Sequence, residues 1–306
     1  MMRRICTLLI MAAILVGAPG AAVADLNVVA TLPDLAAVAK QVGGEHARVT
    51  SLSSSHENPH YVDARPNLIV ALNRADLLIV NGLELEIGWL PPLQTQARNS
   101  KVIVGGNGYM DVSSHVALLE VPTERIDRAM GDIHPGGNPH FTYDPRAVAD
   151  IAGAVAEKMG ELDPANAATY RKNGEEFQQA LRDYAAAQTE RFSKLPAEKR
   201  QVVVYHEAFP YLLDWLRLTR VESIEPKPGV APSPAHAAKV LQAIKAHHVP
   251  VILQQEYYPR NVAKTLADKS GAKLVVVDGA TRFEEGESYL DFIKNATEAL
   301  YAALQS

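Results

Sequence analysis

Two copies of one tripeptide hold the residues best placed to do chemistry. Asn58-Pro59-His60 and Asn138-Pro139-His140 are each followed by an aromatic residue, Tyr61 or Phe141, and then by an acid, Asp63 or Asp144. Proline fixes its own backbone angle, so a Pro-His turn holds the chain stiffly while the imidazole points outward, as a preorganised metal ligand requires. The first copy also lies within His56-Glu57-Asn58-Pro59-His60, a letter-for-letter match to the H-E-x-x-H pattern of zinc proteases. That chemistry needs both histidines on one helix face with Glu57 as general base. Pro59 removes a backbone donor inside the supposed turn, Asn58 before it is pushed to extended geometry, and three serines precede it. The segment therefore reads as a loop, which can hold a metal but lacks the protease geometry.

The bulk of the chain narrows the chemistry further. Arg3 and Arg4, the apolar run ICTLLIMAAILVGA and Ala22-Val23-Ala24 form a secretory signal over residues 1–24, too short and wrongly flanked for a stable membrane span. The only cysteine, Cys6, falls within that leader. The exported chain thus has no thiolate, any metal must be held by nitrogen and oxygen, and Cys6 lies too far from the cleavage site to carry a lipid. A freely soluble periplasmic protein that is not membrane-anchored is expected, with a monomer as the simplest state. The formal net charge of −5, two units more negative without Arg3 and Arg4, comes with no basic stripe, which argues against nucleic acid as a partner.

The elements that must position these residues alternate. LNVVATL, HARVTSLS, DLLIVNG and KVIVGG read as strands, with PDLAAVAKQVG and RPNLIVALNRA as helices between them. From Asp144 the rhythm becomes helical, and Tyr170, Phe177, Leu181 and Tyr184 recur at helical spacing in what reads as one long connector. The alternation resumes with QVVVYH, VESIEP, VILQQE and KLVVVDG as strands, separated by further helices. The expected fold class is α/β: two lobes, each a mostly parallel sheet covered by helices, joined by one long rigid helix, with a metal site in the cleft. The corresponding boundaries are a signal at 1–24, an N-terminal lobe at 25–163, the connecting helix at 164–195 and a C-terminal lobe at 196–306. No repeat is clean enough to indicate duplication.

Ligands of open parallel sheets bind beyond the carboxyl ends of strands. HARVTSLS runs into the loop of His56 and His60, QVVVY ends at His206, VILQQ at Glu256 and KLVVV at Asp278, while His140 sits in the turn before the connector. His60, His140, His206 and Asp278 make a His3Asp set suited to tetrahedral Zn2+. Glu256 is the rival acid, read otherwise as a partner of Arg260, and His56 is either an entry ligand or a solvated loop residue.

Together these segments resemble the periplasmic zinc and manganese substrate-binding proteins of ABC importers. NPHYVDARP resembles that family's D-P-H-x-[YF]-E-P-[TS] loop, DLLIVNGLELEIGWLPPL its ADL-x-x-x-NG-x-x-LE-x-WL stretch and GNPHFTYDP its DPH-x-W-x-DP turn. YHEAFPYL resembles HDAF-x-YF, SIEPKPGVAPSPAH matches a segment typical of zinc members, and GAKLVVVDGAT with GESYLDFIKNATEAL resembles the closing segment. The family's ligand positions fall on His60, His140, His206 and Asp278. Manganese and iron members usually carry a carboxylate where His206 stands, so zinc is the favoured cargo, with a manganese or iron binder as the alternative. The sequence departs from the family in lacking a long His-rich loop: Met110 to Asn138 holds only His115 and His134, the latter a candidate transient collector. Asn58 replaces the usual Asp, and Asp63 stands near the usual Glu.

The resemblance implies capture and delivery without catalysis, with an ABC permease and its ATPase as partners and a periplasmic metallochaperone as a candidate donor. Ordinary imidazoles would lose the metal as pH falls below about 6.5. The rival readings are an HExxH metallohydrolase and an adhesin built on the same scaffold.

Overall fold

The structure, a computed structural model, describes residues 25–123 and 134–306; the signal sequence expected at 1–24 lies outside the described residues. The first lobe is a four-stranded sheet of β1 (Leu26–Ala30), β2 (Ala47–Ser51), β3 (Leu77–Val80) and β4 (Tyr109–Asp111), in the order β2-β1-β3-β4. The second comprises β5 (Gln201–Val204), β6 (Thr219–Ser223), β7 (Val251–Gln255) and β8 (Lys273–Val277), in the order β6-β5-β7-β8. Every strand pairing in both sheets is parallel. The two lobes therefore share one topology, an internal likeness invisible in the sequence because it resides in strand order and not in residue identity.

Parallel strands must bury both faces, and the alternation of side chains divides them between cores. Val28, Ala30, Leu77 and Ile79 join Val202, Val204, Val251 and Leu253 in one apolar cluster that runs through both lobes. The alternate residues Val29, Leu78 and Val80 face α2 (Pro66–Arg74) and α3 (Leu90–Ala97). In the second lobe Val203 and Ile252 face α7 (Pro234–Ala246) and α8 (Arg260–Ser270). The shared cluster is closed by α1 (Pro33–Gly43), α4 (Pro145–Leu162), α5 (Ala167–Ser193), α6 (Pro210–Leu216) and α9 (Tyr289–Gln305). Proline in the first turn starts α1, α2, α3, α4, α6 and α7, where its missing N–H would have had no helical partner.

Helix α5 leads from the first sheet to the second and spans about 40 Å at 1.5 Å per residue. Tyr170, Gly174, Phe177, Leu181, Ala185 and Phe192 form its buried stripe. It packs antiparallel to α4, and a Cβ at Gly174 would come within 2.7 Å of Ala156 Cβ, so glycine allows the close approach. Further links tie the lobes directly: buried Asp34 at the start of α1 accepts hydrogen bonds from Thr281 N (2.6 Å) and Thr281 Oγ1 (2.7 Å) beyond β8.

One expected strand is absent. Residues 101–106, KVIVGG, form tight turns, with Gly106 N donating to Ile103 O and Gly108 N, just beyond, to Lys101 O. Val102 alone is buried, whereas Val104 is 76% exposed, so the run has no second face to bury. The sheet is completed instead by Tyr109–Asp111, a segment too short and polar to stand out.

Candidate metal centre

The two Asn-Pro-His turns have the same local structure. Asn58 Oδ1 accepts from His60 N (3.0 Å) and from His60 Nδ1 (2.8 Å). Asn138 Oδ1 accepts from His140 N (3.0 Å) and from His140 Nδ1 (2.9 Å). A short polar side chain that bonds its own backbone two residues on is a natural turn former. Here the same oxygen also claims one ring nitrogen, leaving each Nε2 with a free lone pair. The third ring is fixed the same way: buried His206, just beyond β5, donates from Nδ1 to Glu225 Oε2 at 2.7 Å. Glu225, just beyond β6, also accepts from Gly229 N.

These rings converge. Centroids of His60, His140 and His206 lie 5.3 to 5.6 Å apart, and one ring nitrogen of each lies within 4.8 Å of the other two. With every Nδ1 committed, the nitrogens available to a cation are the three Nε2 atoms. His140 Nε2 is buried with no hydrogen-bond partner, which is costly unless something electrophilic occupies the centre. Burial, followed by the fields of His206 and His134, holds His60 well below the usual histidine range; burial, followed by His206, His60 and His134, does the same for His140. Protons therefore compete poorly for these two sites, and the loss of metal expected near pH 6.5 moves lower for them.

The loops are braced by the residues of the NGLELE segment. Buried Glu86 accepts from Thr31 Oγ1 (2.6 Å), Asn81 N (2.7 Å) and Gly82 N (3.2 Å), while Asn81 Nδ2 donates to Pro139 O at 3.0 Å, beside His140. Burial pushes the Glu86 carboxyl up to about 7. Trp89 Nε1 anchors Pro59 O at 2.9 Å, beside His60. Across the cleft Asn138 Nδ2 donates to Glu207 O and Tyr211 Oη to Asn138 O, tying the His140 turn to the second lobe.

Asp278 stands outside the three-histidine group. Its Oδ1 accepts from Arg282 at 2.8 Å, and its backbone carbonyl accepts from Tyr143 Oη. Glu256 pairs with His56 (3.0 Å) and more weakly with Arg282 (3.6 Å), not with Arg260 as the sequence suggested. His56 is thus an exposed contact between loops of opposite lobes. Glu57 accepts from Ser54 N within a non-helical loop, so the H-E-x-x-H residues do not form the protease arrangement. Glu225 was missed by sequence reasoning; its only signal was its position just past a strand end, in SIEP.

Two parallel sheets that turn their loop ends toward one buried set of imidazole lone pairs define a two-lobed α/β metal-binding protein. Residues 28–303 match the family model described as zinc-uptake complex component A, periplasmic (ZnuA), and the chain belongs to this family of metal substrate-binding proteins of ABC importers. The high-affinity zinc uptake system protein ZnuA of Bacillus subtilis is 27% identical, covering 91% of this chain and 88% of its own. The manganese-binding lipoprotein MntA of Halalkalibacterium halodurans is 24% identical, with the same coverage. The laminin-binding protein Lmb of Streptococcus agalactiae, described as bifunctional in adhesion and metal transport, shares the fold with a TM-score of 0.76 at 23% identity, over 91% of this chain and 99% of that one. Among the described residues no helix is long and apolar enough to cross a membrane.

Proposed function

We propose that this chain captures Zn2+ in the periplasm and delivers it to the permease of an ABC importer, whose ATPase drives uptake. The observation that carries this reading is the convergence of three Nε2 lone pairs from His60, His140 and His206, each fixed by a hydrogen bond at the opposite ring nitrogen. Relatives are named for zinc and for manganese, so family membership alone does not choose the cargo. The donor set favours zinc: imidazole suits zinc, whereas manganese favours carboxylate and other oxygen ligands.

The protein's own contribution is preorganisation. The Asn and Glu partners fix the tautomers, and burial keeps protons off His60 and His140. Asp278 is the oxygen donor the sequence assigns to the fourth position, and Arg282 holds its Oδ1. Delivery requires no bond-making in the cargo, so the reading is of binding without turnover, by a monomer exported through residues 1–24 and without a membrane anchor. A periplasmic metallochaperone would serve as donor. Anaerobic competition between Zn2+ and Mn2+ under chelator buffering tests the cargo: zinc should displace manganese stoichiometrically. Manganese binding as tight as zinc would refute it.

A further inference from the structure

Between the lobes, behind the His140 turn, lies a narrow chamber of about 20 Å3. Pro33, Ser54 and Thr142 wall it from the first lobe, and Gln255, Tyr257 and Ala280 from the second. Gln255 is the last residue of β7 and only 1% exposed, and its Oε1 has no hydrogen-bond partner among the described residues. A buried acceptor left unpaired is costly. Other hydroxyls on the wall do not relieve it, because each carries a single proton. Tyr143 directs its proton to Asp278 O (3.0 Å) and Gly279 O (3.1 Å), and Ser53 directs its own to Thr31 O (2.7 Å).

The seam around this chamber is closed by contacts between the lobes. Tyr289 Oη donates to Thr142 O at 2.8 Å, and Thr281 N and Oγ1 donate to Asp34. At Gly279 a Cβ would come within 2.3 Å of Tyr257 Cε1 and 3.0 Å of Ser55 O, so the two loops meet with no room for a side chain. Apolar cavities stay dry, whereas a polar one holds water when it offers about 10–15 Å3 and two to four partners. This chamber has room for one water. Its wall joins the Gln255 acceptor to the hydroxyl-bearing residues Ser54, Thr142 and Tyr257.

We propose that the chamber binds one water molecule, which donates to Gln255 Oε1, links the two lobes behind the metal centre and exchanges slowly because the seam encloses it. The inference is independent of which cation the protein carries. Oxygen-17 magnetic relaxation dispersion counts long-lived internal waters, and it is applied to the metal-free exported protein and to its Gln255→Met and Ala280→Val variants. Gln255→Met removes the acceptor at similar side-chain volume, and Ala280→Val fills the space while leaving Gln255 in place. Each should lose one long-lived water relative to the wild type. A high-resolution crystal structure of the wild type should show an oxygen within hydrogen-bond reach of Gln255 Oε1, about 2.5–3.0 Å. Equal water counts in the wild type and both variants, or a dry chamber in the wild-type crystal, would overturn the inference. Circular dichroism establishes that each variant is folded, and Ala280→Val carries the test alone if Gln255→Met is not.

Discussion

Glu225 Oε2 accepts a hydrogen bond from His206 Nδ1 at 2.7 Å, with both side chains buried and placed just beyond the neighbouring strands β6 and β5. One carboxylate decides which nitrogen of His206 faces the cleft and raises its basicity toward a cation. Replacing Glu225 with Gln keeps the shape but removes the charge and lets the amide turn its NH2 toward the ring. Glu225→Gln should weaken zinc binding about 10- to 100-fold with an unchanged one-to-one stoichiometry. Competition against a chromophoric chelator would measure this.

The Asn-Pro-His turns make a parallel prediction for the other two rings. Asn58→Ala frees both His60 N and Nδ1, and the ring loses its fixed tautomer. Zinc affinity should fall about 10-fold or more, whereas Asn58→Asp, which keeps the acceptor and adds charge, should match or exceed the wild type. A titration series over the three proteins checks the order. Equal affinity in Asn58→Ala would show that the turn shapes the backbone only.

Stability between lobes should depend on Asp34. Its carboxylate satisfies both Thr281 N and Thr281 Oγ1 in a fully buried setting. Asp34→Ala strands a buried backbone donor and a hydroxyl, a loss of about 2–4 kcal/mol. Chemical denaturation of the metal-free protein should show it, and Asp34→Asn should cost less because it retains an acceptor.

Acid should destabilise the metal-free fold, with a sign set by the shifted groups. His60 and His140 are held well below 6.5, so below that pH the unfolded chain takes up two protons that the folded chain refuses. Their contribution is full above 6.5 and is lost as pH falls toward their depressed values. Glu86 acts oppositely: raised from 4.5 to about 7, it takes a proton in the folded state, and its contribution is lost as pH rises through that range. Between 4.5 and 6.5 these groups leave a net excess of one proton on the unfolded chain, about 1.4 kcal/mol lost per pH unit on acidification. Glu86→Gln removes the opposing group and should roughly double that slope. Denaturation midpoints collected from pH 7 to pH 5 would test it.

Much of this architecture was legible in the residues. Short apolar runs separated by proline-started helices marked the parallel strands, and the strand-end rule led to His60 and His206. The repeated Asn-Pro-His marked two rings, and the structure shows why the asparagine belongs to the repeat. What remained hidden was nonlocal. Glu225 meets His206 because β6 lies beside β5, and His134 meets His60 across 74 residues of chain. KVIVGG looked like a strand by composition, but only Val102 has a core to face. The pairing of Asp278 with Arg282, four residues on, was also overlooked, although the spacing is present in the sequence from the start.

A cation gripped by three imidazoles brought together from both lobes should depend on every one of them. Titrating Zn2+ into the metal-free protein and into His60→Ala, His140→Ala and His206→Ala variants tests it most directly. An apparent binding energy of about 10–16 kcal/mol shared by four ligands assigns roughly 3 kcal/mol to each, so every single variant should bind at least ~100-fold more weakly. The wild type should take up one ion per chain. Wild-type affinity retained in any of the three would show that its imidazole does not hold the cation.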